Sequence, residues 1–103
     1  MDMSVATLGK LWAAVRAVRN VDQADVAAAV NVSPEQVSRW EHGVHTPRGD
    51  NLRKVNRYLR IPADVADDVL DYDDLPADVL RRIAALLEAG QRPRVEQVIE
   101  DLE

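Results

Sequence analysis

Val32-Ser33-Pro34-Glu35-Gln36-Val37-Ser38-Arg39-Trp40-Glu41-His42-Gly43 is the stretch on which the fold turns. Ser33 reads as an N-cap, Pro34 takes the first helical position, and Gln36 stands three residues after the cap, the spacing of a capping box. Val32 before the cap and Val37 four after it have the spacing of a hydrophobic staple. Gly43 supplies the stop. The spacing predicts a short, rigid helix over residues 33–42, with Val37 and Trp40 turned into the core.

Working outward, Asp22 is a plausible cap for a short helix over residues 23–30 that buries Val26, Ala27 and Val30. Asn31 then suits the left-handed backbone of a tight turn. Further upstream, Leu8, Leu11, Trp12, Val15 and Val18 follow one apolar helix face, which predicts a first helix over residues 7–19. Two short helices joined by about three residues, the second firmly capped, meet the requirements of a helix-turn-helix. The first helix braces the second, which can enter a DNA major groove about 12 Å wide.

Downstream, residues 46–49 form a loop, and Asp50 is read as the cap of a fourth helix carrying Leu52, Val55 and Leu59. Pro62 permits a fifth helix with Val65, Val69 and Leu70. The acidic residues 71–74 form a candidate hinge. Beyond it, Val79, Leu80, Ile83, Leu86 and Leu87 mark an amphipathic helix ended by Gly90, and Val95, Val98, Ile99 and Leu102 mark a last one. Strand-like alternation is missing. The expected protein is all-α, with an N-terminal lobe over residues 1–71 and a helical hairpin over 75–103. That hairpin either packs back on the first and fifth helices of its own chain or forms a dimer interface.

The stretch from Asp22 to Ala27, then Val32 to Gly43, then Pro47 and Leu52, resembles the Cro/lambda-repressor-like (XRE-type) family of helix-turn-helix proteins. The resemblance covers about residues 8–61, over half the chain. It implies a compact five-helix lambda-repressor-like bundle that binds operator DNA as a homodimer and regulates transcription, most often as a repressor. It also implies that Gln23 touches a backbone phosphate at a helix N-terminus. An arginine and a glutamate that pair in the family fall at Arg16 and Glu41, as a structural brace between the first and third helices. The chain departs from the family at Asn31, where glycine is usual, and at Pro34, which removes a backbone donor.

With Val37 and Trp40 inside, Ser33, Glu35, Gln36, Ser38 and Arg39 face outward as candidate DNA contacts. Arg39 can pair bidentately with guanine and Gln36 with adenine. Glu35 either accepts from a cytosine amino group or complements the helix dipole. His45, Thr46 and Arg48 in the following loop are candidates for positioning phosphate. Arg53 and Arg57 read more simply as the solvated face of the fourth helix.

The formal net charge of −5 divides unevenly. Residues 1–60 hold nine Lys/Arg against six Asp/Glu, net +3, whereas residues 61–103 hold four against twelve, net −8. The split suits a nucleic-acid face with an acidic counterpart, or an ordinary solvated tail. The acidic tail also keeps open a protein-interaction module, such as an antitoxin, built on the same fold. Cysteine is absent, which excludes disulfides and thiolate chemistry. No apolar run approaches the roughly 20 residues of a membrane span, and no signal peptide opens the chain, so a cytoplasmic location is expected. Glu41, His42 and His45 straddle a helix end, too few and too scattered for zinc. We therefore expect no catalytic residue, metal, cofactor or small-molecule ligand.

Overall fold

Seven helices carry residues 3–103, the part described by this computed structural model, with side chains from Val5 onward. They are α1 (Met3–Arg19), α2 (Gln23–Val30), α3 (Pro34–Glu41), α4 (Gly49–Tyr58), α5 (Ala63–Leu70), α6 (Ala77–Glu88) and α7 (Val95–Leu102). No strand occurs among the described residues. The start of the expected lobe, residues 1–2, lies outside them.

Helix α1 begins a turn before the predicted residue 7. Helix α4 also begins early, and Asp50 is not its cap. The Leu52 N–H donates to the Arg48 carbonyl at 2.9 Å, so the first turn closes on Arg48 and Asp50 lies inside it. There the Asp50 carboxylate accepts from Arg53 Nη2 at 2.6 Å.

One device ends five of the helices. Asn20, Asn31, Gly43, Arg60 and Gly90 all take positive φ, between 56° and 81°. In each case the next N–H reaches back to a carbonyl five residues earlier, as from Val32 to Ala27 at 3.0 Å and from Val44 to Arg39 at 2.9 Å. Asn31 meets this requirement without glycine because its short polar side chain tolerates the left-handed region.

The core gathers around α1, whose Leu8, Leu11, Trp12 and Val15 are fully buried. The Trp12 and Trp40 rings meet edge to face, with centroids 6.2 Å apart. Trp12 Nε1 donates to the buried Asn56 Oδ1 at 2.7 Å, which ties α1 to α4 and satisfies both polar groups. Val18 departs from expectation, being 42 % exposed at the end of α1's apolar face.

The five-helix bundle expected from the resemblance is enlarged to seven helices that share a single core. Val79, Leu80, Ile83, Ala84 and Leu87 of α6 are buried, and α6 packs on α1 more extensively than any other helix pair does. Val95 and Val98 of α7 are buried where it meets α5 and α6, and Asp68 of α5 accepts the Val95 N–H at 2.8 Å. Residues 71–74 are fastened rather than hinged. Thr7 Oγ1 donates to the Asp73 carbonyl and Lys10 Nζ to Asp74 Oδ1, both at 2.8 Å, and Leu75 is buried just beyond.

Candidate nucleic-acid interface

Helix α3 owes its ends to the residues that predicted them. Ser33 Oγ accepts the Gln36 N–H at 3.2 Å and Pro34 opens the helix. The reciprocal arm of the expected capping box, from the Gln36 side chain to the Ser33 N–H, does not form; such an arm forms at α2, where Asp25 Oδ2 accepts the Asp22 N–H at 3.1 Å. At the far end, Gly43 has φ 73°, and a Cβ on it would press against the Ala6 side chain at 3.0 Å. His42 adds a side-chain cap, its Nδ1–H donating to the Ser38 carbonyl at 2.8 Å.

Two contacts fix the orientation of α3. The first is a backbone approach: a Cβ on Gly9, midway along α1, would stand 2.3 Å from the Trp40 carbonyl oxygen. Only hydrogen fits there. The second is a fork. Arg16 Nε and Nη2 donate to the two Glu41 carboxylate oxygens at 2.7 and 2.8 Å, while Nη1 donates to the Val21 carbonyl at 3.0 Å. The Glu41 side chain is only 3 % exposed, and its hydrogen bond raises the Arg16 pKa. Such a pair is geometrically strict, and removing one partner would strand the other's charge.

The outward side holds the candidate DNA contacts. Ser33, Glu35 and Arg39 are exposed and Gln36 and Ser38 are half-buried, while Val37 and Trp40 are buried behind them. Ser38 Oγ lies 3.4 Å from His42 Nδ1, so this hydroxyl abuts the helix's C-terminal cap. His45, Thr46 and Arg48 are exposed in the next loop, which buried Pro47 anchors. Arg53 is held by Asp50, and both side chains are largely solvated.

Gln23, which the resemblance sets against a backbone phosphate, already has a partner within the protein. Its Nε2 donates to Glu41 Oε1 at 2.9 Å, joining the Arg16–Glu41 pair from the α2 side. The carboxylates of Asp22 and Asp25 stand beside it at the start of α2, where they complement the helix N-terminus themselves.

Residue-type reasoning missed two of these features. Gln23 as a third member of the brace left no mark in spacing. Gly9 did leave one: a glycine inside a helical period costs about 1 kcal/mol against alanine, so its presence asks for a packing reason. Among the described residues, no cluster of His, Asp or Glu could hold a metal ion, and no helix is long and apolar enough to cross a membrane.

A family model described as "Helix-turn-helix" matches residues 13–65, just over half the chain, from the middle of α1 into α5. Comparisons with curated proteins and with solved structures give no match.

Proposed function

Because the chain belongs to the lambda-repressor-like (XRE-type) helix-turn-helix family of DNA-binding transcription regulators, we propose that it is a cytoplasmic repressor, acting as a homodimer on a short inverted-repeat operator. One observation carries this reading. The outer face of α3 is polar and exposed, while its inner face is held by Trp40, Val37 and the Arg16–Glu41–Gln23 brace. A reading helix must be rigidly presented before its side chains can discriminate between bases.

In this reading Arg39 pairs with guanine and Gln36 with adenine, and each bidentate contact contributes about 1–3 kcal/mol of discrimination. Glu35, Ser33 and Ser38 complete the base-facing set. Arg48, His45 and Thr46 position phosphate. Glu41 accepts through one Gln23 amide hydrogen, which leaves the second for a phosphate oxygen. The brace then also aims a backbone contact.

Selection of bound sequences from a random duplex pool tests base identity and half-site symmetry together. An enriched two-fold motif that Arg39→Ala relaxes at one position is expected; a pool that stays random overturns operator recognition. The net charge of −8 on residues 61–103 favours one other reading, a protein-interaction module on the same fold. Gel shifts at two salt concentrations separate the two, because phosphate neutralisation makes affinity fall steeply with salt. Absence of any shift at low salt would favour the interaction module.

A further inference from the structure

Among the described residues, four large apolar side chains stand exposed: Val18, Val44, Tyr58 and Leu102. Two of them, Val18 and Tyr58, line one cleft of about 940 Å³ between the C-terminal ends of α1 and α4 and the α6–α7 turn. Pro62 and Leu87 extend its apolar floor. Its rim carries Arg60, which is exposed and has no ion-pair partner among the described residues, and Arg92, whose partner Asp64 is itself largely solvated. Arg19 and Glu88 also line it, paired to each other at 2.8 Å. Once those pairs are discounted, the cleft, whose lining is mixed polar and apolar, presents Val18 and Tyr58 beside the unmatched cation of Arg60.

The end of α7 is its complement. Ile99 is half-buried and Leu102 is 45 % exposed, and around them Glu96, Glu100, Asp101 and Glu103 are all exposed. Residues 95–103 contain no basic side chain. Within its own chain α7 packs on α5 and α6, and Leu102 is outside the cleft's lining. A net charge of −5 opposes self-association in general, so a contact between copies is favoured where it joins surfaces of opposite sign.

We propose that the cleft receives the Leu102 end of α7 from a second copy of this chain. Leu102 inserts between Val18 and Tyr58, and the surrounding carboxylates meet Arg60 at the rim. The contact covers three of the four exposed apolar side chains. Made reciprocally about a two-fold axis it closes a dimer; made in one direction only it would grow open chains. The proposal rests on the reading of the protein as a dimer on paired half-sites, and assigns the surfaces that make that dimer.

Sedimentation equilibrium of the full chain tests it, with Leu102→Glu and Arg60→Glu as variants. Both replaced residues are exposed, and a circular-dichroism melt confirms that each variant folds. The wild type should be a closed dimer whose affinity falls with salt. Leu102→Glu should raise its dissociation constant by about tenfold or more, and Arg60→Glu by several-fold with a weaker salt dependence. A monomeric wild type, an assembly that keeps growing with concentration, or a dimer that Leu102→Glu leaves unchanged would overturn the assignment. A gel shift on the same samples keeps the two readings apart. DNA binding by a monomeric wild type leaves the operator reading standing without this contact; a Leu102-dependent dimer that binds no DNA leaves the contact without the operator.

Discussion

Helix α1 meets α3 and α6 by contrasting means. Toward α3 it offers Gly9, so close that only hydrogen fits below the Trp40 carbonyl, and Arg16, locked to both oxygens of Glu41. Toward α6 it meets a stripe of Val79, Leu80, Ile83 and Leu87, with the solvated Lys10–Asp74 pair and the Arg19–Glu88 pair, whose arginine is mostly buried, beside it. The first seam is directional, because a hydrogen-bonded fork and a backbone contact each have one acceptable geometry. The second is chiefly hydrophobic and non-directional, so it tolerates small readjustment. The contrast teaches that strict geometry is spent on the helix proposed to read DNA, and apolar area on the helix that need only stay attached.

The sharpest attempt to break this contrast is Gly9→Ala. The added methyl must displace the Trp40 backbone, and we expect a loss of about 3 kcal/mol, net of the roughly 1 kcal/mol that alanine gains in a helix. Urea unfolding measures it, and a variant as stable as wild type would show that the seam can relax. Glu41→Gln comes next, at about 2 kcal/mol, because Arg16 keeps its charge and loses an ionic acceptor. Its effect on melting should exceed its effect on operator preference in binding selections; the reverse would recast Glu41 as a reader.

Ile83→Val, in the α6 seam, should cost about 1 kcal/mol and leave DNA affinity untouched. If it shifted operator preference as much as Glu41→Gln, the two seams would not differ in role. The smallest effect is on pH dependence. Arg92 beside Asp64, and Lys10 beside Asp74, hold these two carboxyls below their ordinary range. Their stabilisation is therefore present above the ordinary carboxylate value of 3.8 and is lost as pH falls below it. A pH series of melting temperatures should show a shallower acid limb for Asp64→Asn than for wild type, whereas an identical limb would remove the Arg92 contact as its cause.

Local signals made most of the α3 unit legible. Ser33, Pro34 and Gly43 act within one turn of themselves, so their meaning survives without tertiary context, and the family resemblance supplied the Arg16–Glu41 partnership. The α6 and α7 stripes were equally clear, although periodicity alone could not say what they would cover. What stayed hidden depends on distant partners. Thr7 and Lys10 convert residues 71–74 from an acidic break into a fixed crossing. Asp68 caps a helix 27 residues further on. Gln23 turns toward Glu41 because a buried carboxylate with two oxygens can accept a further donor beside the Arg16 fork. Asp50 misled because a good capping residue serves equally well inside a first turn, where a nearby arginine can hold it.

The Gly9 contact has one more consequence. It bears on the main-chain oxygen of residue 40, an atom that every amino acid has, so the mounting of α3 is blind to what its outer positions carry. Residues 35, 36, 38 and 39 can then be exchanged like type in a fixed printing block. On the proposed reading, new operator preferences should be reachable by substitution at these few sites, with little change in folding stability and no redesign of the helices behind them.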